Sequence, residues 1–286
     1  MKIVTFRRPG KADEAGVLLG ERIISLGGAG FPDDALSLIA QGEEGRARVE
    51  NWIYNPPPDA VADLASVKLL APVPRPPKVI CVGLNYRDHA IESNMEIPKV
   101  PTIFNKFPNT VIGPGEPIVL PKLSSKPDYE AELAVVIGPG GRHIQPEQWR
   151  KHVFGYTILN DVSARDYQMA TTQWLMGKTF DTFAPMGPWI VSADEIQDPH
   201  TLDISLQIGD QVLQQSNTKE LIFRVPDLIA YISGVVTLEA GDIISTGTPS
   251  GVGFARKPPR FLKAGDTVVV KVQGIGELRN PVIAEA

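Results

Sequence analysis

The sequence predicts a mixed α+β fold in which strands dominate and helices are few and short. Short apolar and β-branched runs, bounded by Gly, Pro or Asp, recur along most of the chain. Residues 204–215 contain two such runs joined by Gly209-Asp210, which predicts a hairpin. A helical pattern opens at Pro226 and continues to about Val236. A doubly wound α/β sheet would need a helix between most strands, so we expect a strand-dominated domain instead.

The length of 286 residues suits one large domain with a small appendage, and a hydrophobic content of 43% is ample for a core. The first 40 residues predict short strands and a helix over Asp33–Ile39. A proline-rich passage follows at residues 56–77, and proline suits an extended linker because it fixes φ and lacks an N–H donor. We therefore expect a small N-terminal domain with its linker over residues 1–72 and a larger domain over residues 73–286.

Composition excludes several classes of function. A formal charge of −5 without a block of like charges argues against nucleic-acid or anionic-membrane binding. The single cysteine, Cys81, excludes an internal disulfide, and we expect it to be buried and inert in a reducing compartment. The first ten residues lack the apolar core of a signal peptide, and no apolar run approaches the ~18 residues of a membrane span. We expect a cytoplasmic protein whose partner is a small molecule.

Two acidic residues lie at the start of a predicted buried strand in residues 128–138. Because strand side chains alternate between faces, Glu130 and Glu132 point to the same, largely apolar face, about 7 Å apart. Ionising both in a desolvated setting costs several kcal/mol unless a cation lies between them. The pattern therefore indicates a metal site, and an edge strand with a wet outer face is the alternative.

A third carboxylate, Asp161, stands where the predicted strand Val153–Leu159 gives way to a helix expected to start at Ser163. Asp161 could bind a metal, or it could be the N-cap of that helix. Arg165 and Gln168 lie three residues apart and share a helix face. Together with Asp161 they could hold the carboxylate of a ligand beside a metal, whereas a surface salt bridge is the alternative for Arg165.

A candidate general base lies in residues 83–92, where a strand gives way to a short helix. His89 and Glu92 are neighbours on that helix, so the carboxylate can orient the imidazole and raise its basicity. A capped or core histidine is the commoner outcome of such a pattern. The other histidines lack this neighbourhood and are expected on the surface: His143, His152 and His200.

Two further stretches have features of a ligand site. Lys178 is embedded among apolar and turn residues, so it could pair with developing negative charge. Residues 243–253 predict a strand that runs into a glycine-rich loop, whose free N–H groups and Thr248 hydroxyl could bind an anion. The loop lacks the lysine and the spacing of a Walker motif. A solvated face and a plain tight turn are the respective alternatives.

Five of these motifs occur in the order seen in the fumarylacetoacetate hydrolase family: Gly83-Leu-Asn-Tyr with His89 and Glu92, Glu130-Ala-Glu132, Asn160-Asp-Val-Ser-Ala-Arg-Asp166 with Gln168, Gly177-Lys-Thr-Phe-Asp-Thr182, and Thr246-Gly-Thr-Pro-Ser-Gly-Val-Gly253. The sequence is most similar to the domain-containing-protein-2 branch. The resemblance spans roughly residues 75–283, whereas residues 1–72 resemble only the variable N-terminal region of the family. It implies a mixed β-roll domain, usually a homodimer, and a divalent ion held by the carboxylates matching Glu130, Glu132 and Asp161.

The implied chemistry agrees with the residues. Three carboxylates without a cysteine or histidine ligand describe a hard oxygen site for Mg²⁺ or Mn²⁺. A 2-oxo acid chelates such an ion, which stabilises the enolate formed when a bond at the neighbouring carbon breaks. The family accordingly contains acylpyruvate-type hydrolases, decarboxylases, and isomerases or tautomerases of 2-oxo acids, and neither fold nor metal separates them.

Our main hypothesis from the sequence is hydrolysis of a carbon–carbon bond in an acylpyruvate-like 2,4-dioxo acid. It gives the remaining motif residues these roles: water activation for His89 oriented by Glu92, oxyanion stabilisation for Lys178 and Gln168, and binding of the substrate carboxylate for Arg165 and Thr248. The alternative is enol–keto tautomerisation or decarboxylation of oxaloacetate, which needs no attacking water. A metal-stabilised binding protein without catalysis is disfavoured because the set of motif residues is intact.

Overall fold

The computed structural model describes residues 1–27, 30–32 and 34–286. Strands dominate these residues, which confirms the predicted mixed α+β fold with few short helices. The strands in chain order are β1 (Lys2–Arg7), β2 (Asp13–Leu19), β3 (Arg22–Ser25), β4 (Val61–Asp63), β5 (Lys68–Leu70), β6 (Val79–Gly83), β7 (Thr102–Lys106), β8 (Val111–Ile112), β9 (Ile118–Leu120), β10 (Pro127–Asp128), β11 (Ala131–Ile137), β12 (Val153–Asn160), β13 (Ser163–Ala164), β14 (Ala184–Ser192), β15 (Asp203–Ile208), β16 (Gln211–Asn217), β17 (Ile243–Ser245), β18 (Thr267–Val272) and β19 (Gly276–Ala284).

The α-helices of the described residues are α1 (Ala35–Ala40), α2 (Gly42–Trp52), α3 (Arg87–Glu92), α4 (Arg165–Gln168), α5 (Leu175–Lys178) and α6 (Val225–Val235). The predicted helix at Asp33–Ile39 corresponds to α1, whose N-cap Asp34 accepts a hydrogen bond from the Ser37 N–H, while Asp33 lies outside the described residues. The helix predicted to open at Pro226 is α6. None of the described helices is long and apolar enough to cross a membrane.

The strand with the paired glutamates lies inside the main sheet. This 12-stranded sheet has the order β4-β3-β2-β1-β14-β12-β11-β17-β6-β7, with β5 paired to β1 and β8 to β14. β11 pairs antiparallel with both β12 and β17, and all its residues are buried. The alternative of a wet edge strand is therefore wrong.

Both faces of β11 are covered, which explains its unbroken run of apolar residues. On one face, Leu133 and Val135 belong to a core that includes Ile204 and Val270 of a second sheet. This five-stranded sheet has the order β16-β15-β18-β19-β9 and contains the predicted hairpin, which turns at Gly209 with φ of +57°. On the other face, Ala134 and Val136 belong to a core shared with the N-terminal region.

The N-terminal strands continue the main sheet. β1 pairs antiparallel with β14 through Lys2↔Val191 and Ile3↔Ile190, and β5 pairs with β1. The division of the chain near residue 72 stays a prediction.

A two-stranded ribbon positions the start of α4. Ser163 pairs with Asp128 and Ala164 with Pro127, and the Arg165 N–H donates to the carbonyl of Lys126 at 3.0 Å. The prediction that the helix starts at Ser163 is wrong, because this tertiary strand pairing occupies the two preceding residues and the helix begins at Arg165.

Candidate metal and active site

Three carboxylates converge where β11 begins and β12 ends. Glu130 immediately precedes β11, Glu132 lies in it, and Asp161 immediately follows β12. The antiparallel register places Ala131 opposite Asn160, and the Asp161 N–H donates to the Glu130 carbonyl at 2.9 Å. One oxygen from each carboxylate lies within 4.8 Å of the other two, and all three residues are buried. Two neighbouring strands therefore deliver the predicted ligands to one point.

Glu132 is held by a strand from the far end of the sequence. Its Oε2 accepts hydrogen bonds from the Ser245 hydroxyl at 2.5 Å and the Gly247 N–H at 2.9 Å. Burial, together with the negative charges of Asp161 and Glu130, raises the pKa of the Glu132 carboxyl well above its usual range. Among the described residues, no cationic side chain pairs with Glu132, which is 1% exposed.

Two buried lysines neutralise the other carboxylates. Lys178 Nζ lies 2.8 Å from both Glu130 Oε2 and Asp161 Oδ2. Lys106 Nζ lies 2.6 Å from Asp161 Oδ1 and donates to the Val162 carbonyl at 3.0 Å. The carboxylate of Asp161 is therefore bound by two ammonium groups and does not cap a helix, and a solvated face is excluded for Lys178. No local pattern in the sequence indicates Lys106, because its partner Asp161 lies 55 residues away.

Arg165 is buried between two carboxylates, so the alternative of a surface salt bridge is wrong. Its Nε donates to Asp128 Oδ2 at 2.8 Å, while Nη1 lies 2.7 Å from Glu130 Oε1 and donates to Gln168 Oε1 at 2.8 Å. Burial alone would lower the pKa of Arg165, but Glu130 and Asp128 raise it, so the guanidinium stays charged. Its Nη2 has no hydrogen-bond partner among the described residues.

The same cations act on Glu130. Burial by itself would raise the pKa of this carboxyl, but Lys178 and Arg165 lower it to about 2. Glu130 is therefore ionised at neutral pH.

The donor set fits a small, hard divalent cation. The group contains three carboxylates and no sulfur or imidazole. Mg²⁺ and Mn²⁺ prefer such oxygen ligands. Glu132 is buried without a counter-charge, and a buried carboxylate needs either a proton or a cation. The residues that would hold the ion are Glu130, Glu132 and Asp161.

A cavity of about 230 Å³ lies over these carboxylates. All the residues predicted for the site line it, except Glu92 and Asp161: His89, Glu130, Glu132, Arg165, Gln168, Lys178 and Thr248. The remaining wall is mainly apolar, with Leu84, Met95, Phe104 and Trp174. A larger groove of about 640 Å³ between β7 and α6 contains none of the three carboxylates, so its size does not make it the site.

His89 and Glu92 lie side by side on α3, but they are not hydrogen-bonded to each other. The distance from His89 Nδ1 to Glu92 Oε2 is 3.6 Å, which is too long for a hydrogen bond. Instead, both carboxylate oxygens of Glu92 accept from the Gly251 N–H, at 3.0 and 2.9 Å. Burial alone would raise the pKa of Glu92, but His89 and the Gly251 N–H lower it. The charge of Glu92 therefore lies beside the imidazole without fixing its ring.

The glycine-rich loop (residues 246–253) was expected to offer free N–H groups to an anion, but three of its N–H groups bind carboxylates of the protein itself, from Gly247 to Glu132, from Gly251 to Glu92 and from Gly253 to Asp128. These hydrogen bonds hold Glu132, Glu92 and Asp128 in position. Anion binding by the rest of the loop stays a prediction. The Thr248 hydroxyl accepts from Gln214 Nε2 at 2.9 Å and lines the cavity, and its role in substrate binding stays a prediction.

Cys81 and His200 lie outside the candidate site, and the sequence predicted the burial of the first but not of the second. Cys81 is buried, as predicted, and burial raises the pKa of its thiol. His200 was expected on the surface but is buried. Its Nδ1 lies 2.8 Å from Asp198 Oδ1, and its Nε2 accepts from the Val225 N–H at 3.2 Å at the start of α6. This partner lies 25 residues away in sequence, so no local pattern indicates it.

A family model described as fumarylacetoacetate (FAA) hydrolase C-terminal matches residues 78–283. The chain belongs to the fumarylacetoacetate hydrolase family. Its curated relatives include "Oxaloacetate tautomerase fahd2, mitochondrial" from Xenopus laevis, which is 50% identical over 221 residues, covering 77% of this chain and 69% of the relative. "Fumarylacetoacetate hydrolase domain-containing protein 2 homolog" from Dictyostelium discoideum is 44% identical over 281 residues, covering 93% and 92%.

A similar solved structure covers the whole chain. Maleylpyruvate hydrolase from Sphingobium sp. SYK-6, in complex with manganese(II) and pyruvate, is 32% identical, with a TM-score of 0.84 and coverage of 100% of both chains. The resemblance inferred from the motifs is thus confirmed, and the chain is an enzyme of this superfamily with a buried acidic triad that can hold a divalent metal.

Proposed function

We propose that the protein is a divalent-metal-dependent tautomerase that interconverts the enol and keto forms of oxaloacetate. One observation carries this proposal: two carboxylates of a buried acidic triad, Glu130 and Glu132, line a small cavity together with the imidazole of His89. The name of the 50% identical Xenopus relative supports the choice of reaction. Hydrolysis, the main hypothesis from the sequence, becomes the second candidate.

The inner end of the cavity suits the 2-oxo acid group. Glu130, Glu132 and Asp161 would hold Mg²⁺ or Mn²⁺, which when bound supplies a Lewis acid for the keto or enol oxygen. Arg165 lines the cavity and has a buried Nη2 without a described partner, which would donate to the substrate carboxylate. Gln168 and Thr248 line the same end and serve as further binding residues.

His89 is the group that moves a proton at the reacting carbon. In the keto-to-enol direction the imidazole removes a proton from C3 and the enolate oxygen takes a proton from water. In the reverse direction the enol oxygen gives its proton to water and the imidazole returns one to C3. Lys178 does not serve as the base, because its ammonium lies between two carboxylates. Burial would lower the pKa of Lys178, but Asp161 and Glu130 raise it. Lys178 therefore contributes a fixed positive charge beside the oxygen that becomes negative.

The size of the cavity favours a compact substrate. Its volume of about 230 Å³ lies below the ~300–1,000 Å³ of sites for drug-sized ligands. A four-carbon acid such as oxaloacetate suits this volume better than an extended acyl chain.

Hydrolysis of a carbon–carbon bond in an acylpyruvate is the second candidate. The apolar wall formed by Met95, Phe104 and Trp174 would accept an apolar acyl group, and a 32% identical structure is named maleylpyruvate hydrolase. In that reaction His89 would take the proton of the attacking water.

The test separates the reactions by their products. Protein loaded with Mg²⁺ or Mn²⁺ is given enol-oxaloacetate, and the enol absorbance and the pyruvate concentration are followed together; an acylpyruvate is tested in parallel. Loss of the enol without pyruvate supports the tautomerase. Pyruvate from oxaloacetate indicates a decarboxylase, and pyruvate from the acylpyruvate indicates the hydrolase. The Glu132→Ala variant is the control for the uncatalysed rate.

The assembly and the compartment are further proposals. We propose a homodimer, as the family resemblance implies, and sedimentation that shows a monomer at micromolar concentration would contradict it. The cytoplasmic location inferred from the sequence also stays a proposal, because the name of the Xenopus relative calls that protein mitochondrial. Cell fractionation would decide between the two compartments.

A further inference from the structure

Three residues that line one small cavity carry buried polar atoms without a hydrogen-bond partner. Among the described residues, His89 Nδ1, Ser93 Oγ and Arg165 Nη2 are buried without a hydrogen-bond partner, and all three residues line the cavity over the carboxylates. Buried polar groups are normally satisfied, so exceptions need an explanation. His89 Nδ1 lies 3.6 Å from Glu92 Oε2, and the other two atoms point to a ligand that supplies the missing bonds.

These atoms lie on two separate walls. Arg165 is on α4 and is tied to Asp128 and Glu130, so its free Nη2 belongs to the metal end of the cavity. Ser93 immediately follows α3, and its N–H donates to the His89 carbonyl at 3.0 Å. A residue four positions after another lies on the same helix face, one turn of about 5.4 Å further along. Ser93 and His89 therefore form a second polar wall.

The rest of this part of the cavity offers a ligand no charge. Leu84, Met95 and Trp174 line it. The ring of Trp174 lies against Gly83, where a Cβ would lie only 2.2 Å from ring atom Cζ3, so this wall is fixed close to the backbone of β6. A carboxylate placed here loses its water and needs a donor from the protein. The Ser93 hydroxyl is such a donor, and no other described residue engages it.

We propose that Ser93 binds the distal carboxylate of a four-carbon 2-oxo dicarboxylic acid, and that this contact selects such acids over 2-oxo acids with an apolar tail. The inference rests on the proposed function and names the subsite that gives that function its substrate. The reacting carbon, C3, carries the distal carboxylate. The Ser93 hydroxyl lies one helical turn from His89, which moves the proton at C3. This is where a donor to the distal carboxylate is expected. Ser93 donates its hydroxyl hydrogen to a carboxylate oxygen, and no covalent bond changes.

The test uses two substitutions at Ser93 and one control on the same helix. Ser93→Ala removes the hydroxyl, Ser93→Thr keeps it, and Ile91→Ala changes a residue of α3 that is 78% exposed and does not line the cavity. For the metal-loaded enzyme, KM and kcat are measured with oxaloacetate. The inhibition constant of oxalate is measured as well, because oxalate offers the chelating end without a distal group.

Loss of a hydrogen bond to a charged group should raise KM for oxaloacetate about 10- to 100-fold in Ser93→Ala. The kcat should change little, because the contact is the same in the ground and transition states. The inhibition constant of oxalate should not change, Ser93→Thr should retain most of the affinity, and Ile91→Ala should behave as the unmodified enzyme. An unchanged KM in Ser93→Ala, or an equal loss of oxalate binding, would overturn the subsite while leaving the tautomerase intact.

Failure of the proposed function would give a different result. If the unmodified enzyme does not convert enol-oxaloacetate, the subsite is judged by binding of oxaloacetate and of the one-carboxylate analogue 2-oxobutanoate, measured by calorimetry. Tighter binding of oxaloacetate that is lost in Ser93→Ala supports the subsite. Equal binding of both acids, or no effect of Ser93→Ala, refutes it.

Discussion

Replacement of Asp128 by asparagine should destabilise the protein and loosen the candidate site together. Asp128 Oδ1 accepts from the N–H groups of Tyr129 and Gly253, and Oδ2 accepts from the Phe254 N–H and from Arg165 Nε. Asparagine has the same shape but carries a donor in place of one acceptor. Whichever way the amide turns, two of these four donors then face an NH₂ group, and the charge opposite the guanidinium is lost.

The contacts set the size of the effect. Each buried donor left without a partner costs about 1–3 kcal/mol, and breaking a buried ion pair costs about 3–5 kcal/mol. Arg165 keeps Glu130 at 2.7 Å, so its charge is not left unpaired. The two donors that lose their acceptor therefore set the magnitude, and we expect Asp128→Asn to lower the free energy of unfolding by about 2–6 kcal/mol. Oxalate should also bind more weakly, because Arg165 loses the contact that fixes its orientation.

Urea denaturation at neutral pH, with and without Mn²⁺, measures the change in the free energy of unfolding, provided that the denaturant slope stays constant. Asp210→Asn, in the exposed turn of the hairpin, removes the same charge and should change stability by no more than about 0.5 kcal/mol. A loss below about 1 kcal/mol in Asp128→Asn, with unchanged oxalate affinity, would show that Asp128 does not anchor Arg165 as described.

Three further predictions follow from the site and from the buried histidine. Glu132→Ala should abolish Mn²⁺ binding in a calorimetric titration and with it turnover, and full activity in excess chelator would contradict the metal assignment. His89→Ala should lower kcat by about 10²- to 10⁴-fold and leave Mn²⁺ binding intact; a near-normal rate would make the imidazole structural. The free energy of unfolding should fall as the pH drops below about 6.5, because burial lowers the pKa of His200 despite Asp198 and the unfolded chain then binds more protons. Denaturation profiles across this range should be flatter in His200→Gln but not in His143→Gln.

Short sequence patterns correctly predicted the features that depend on residues close together in the chain. An unbroken run of small and β-branched residues predicted the buried strand β11, and a Gly-Asp pair between two such runs predicted the hairpin at Gly209. The alternation of side chains along a strand also placed Glu130 and Glu132 on a common face. Each of these signals lies within about ten consecutive residues.

The groups that the sequence analysis missed or misplaced depend on distant partners. Lys106 reaches Asp161 from a strand 55 residues earlier, and Asp128 meets the Gly253 N–H across 125 residues. The helix expected from Ser163 starts later because Ser163 pairs with Asp128 in a two-stranded ribbon. The spacing of His89 and Glu92 correctly made them neighbours, but it could not show that a loop amide binds the carboxylate. Sequence spacing thus identified candidate groups without their contacts.

The hydrogen bonds from Ser245 and Gly247 to Glu132 have a consequence for the order in which the candidate site forms. Ser245 and Gly247 follow Glu132 by 113 and 115 residues. Contacts at such separation form only after the chain has lost the entropy of closing a long loop. During synthesis, Glu130, Glu132 and Asp161 therefore leave the ribosome well before Ser245 and Gly247, which hold Glu132 in place. The three carboxylates therefore reach their final arrangement only after residues 243–245 have paired with β11, which is a late event in the synthesis of the chain.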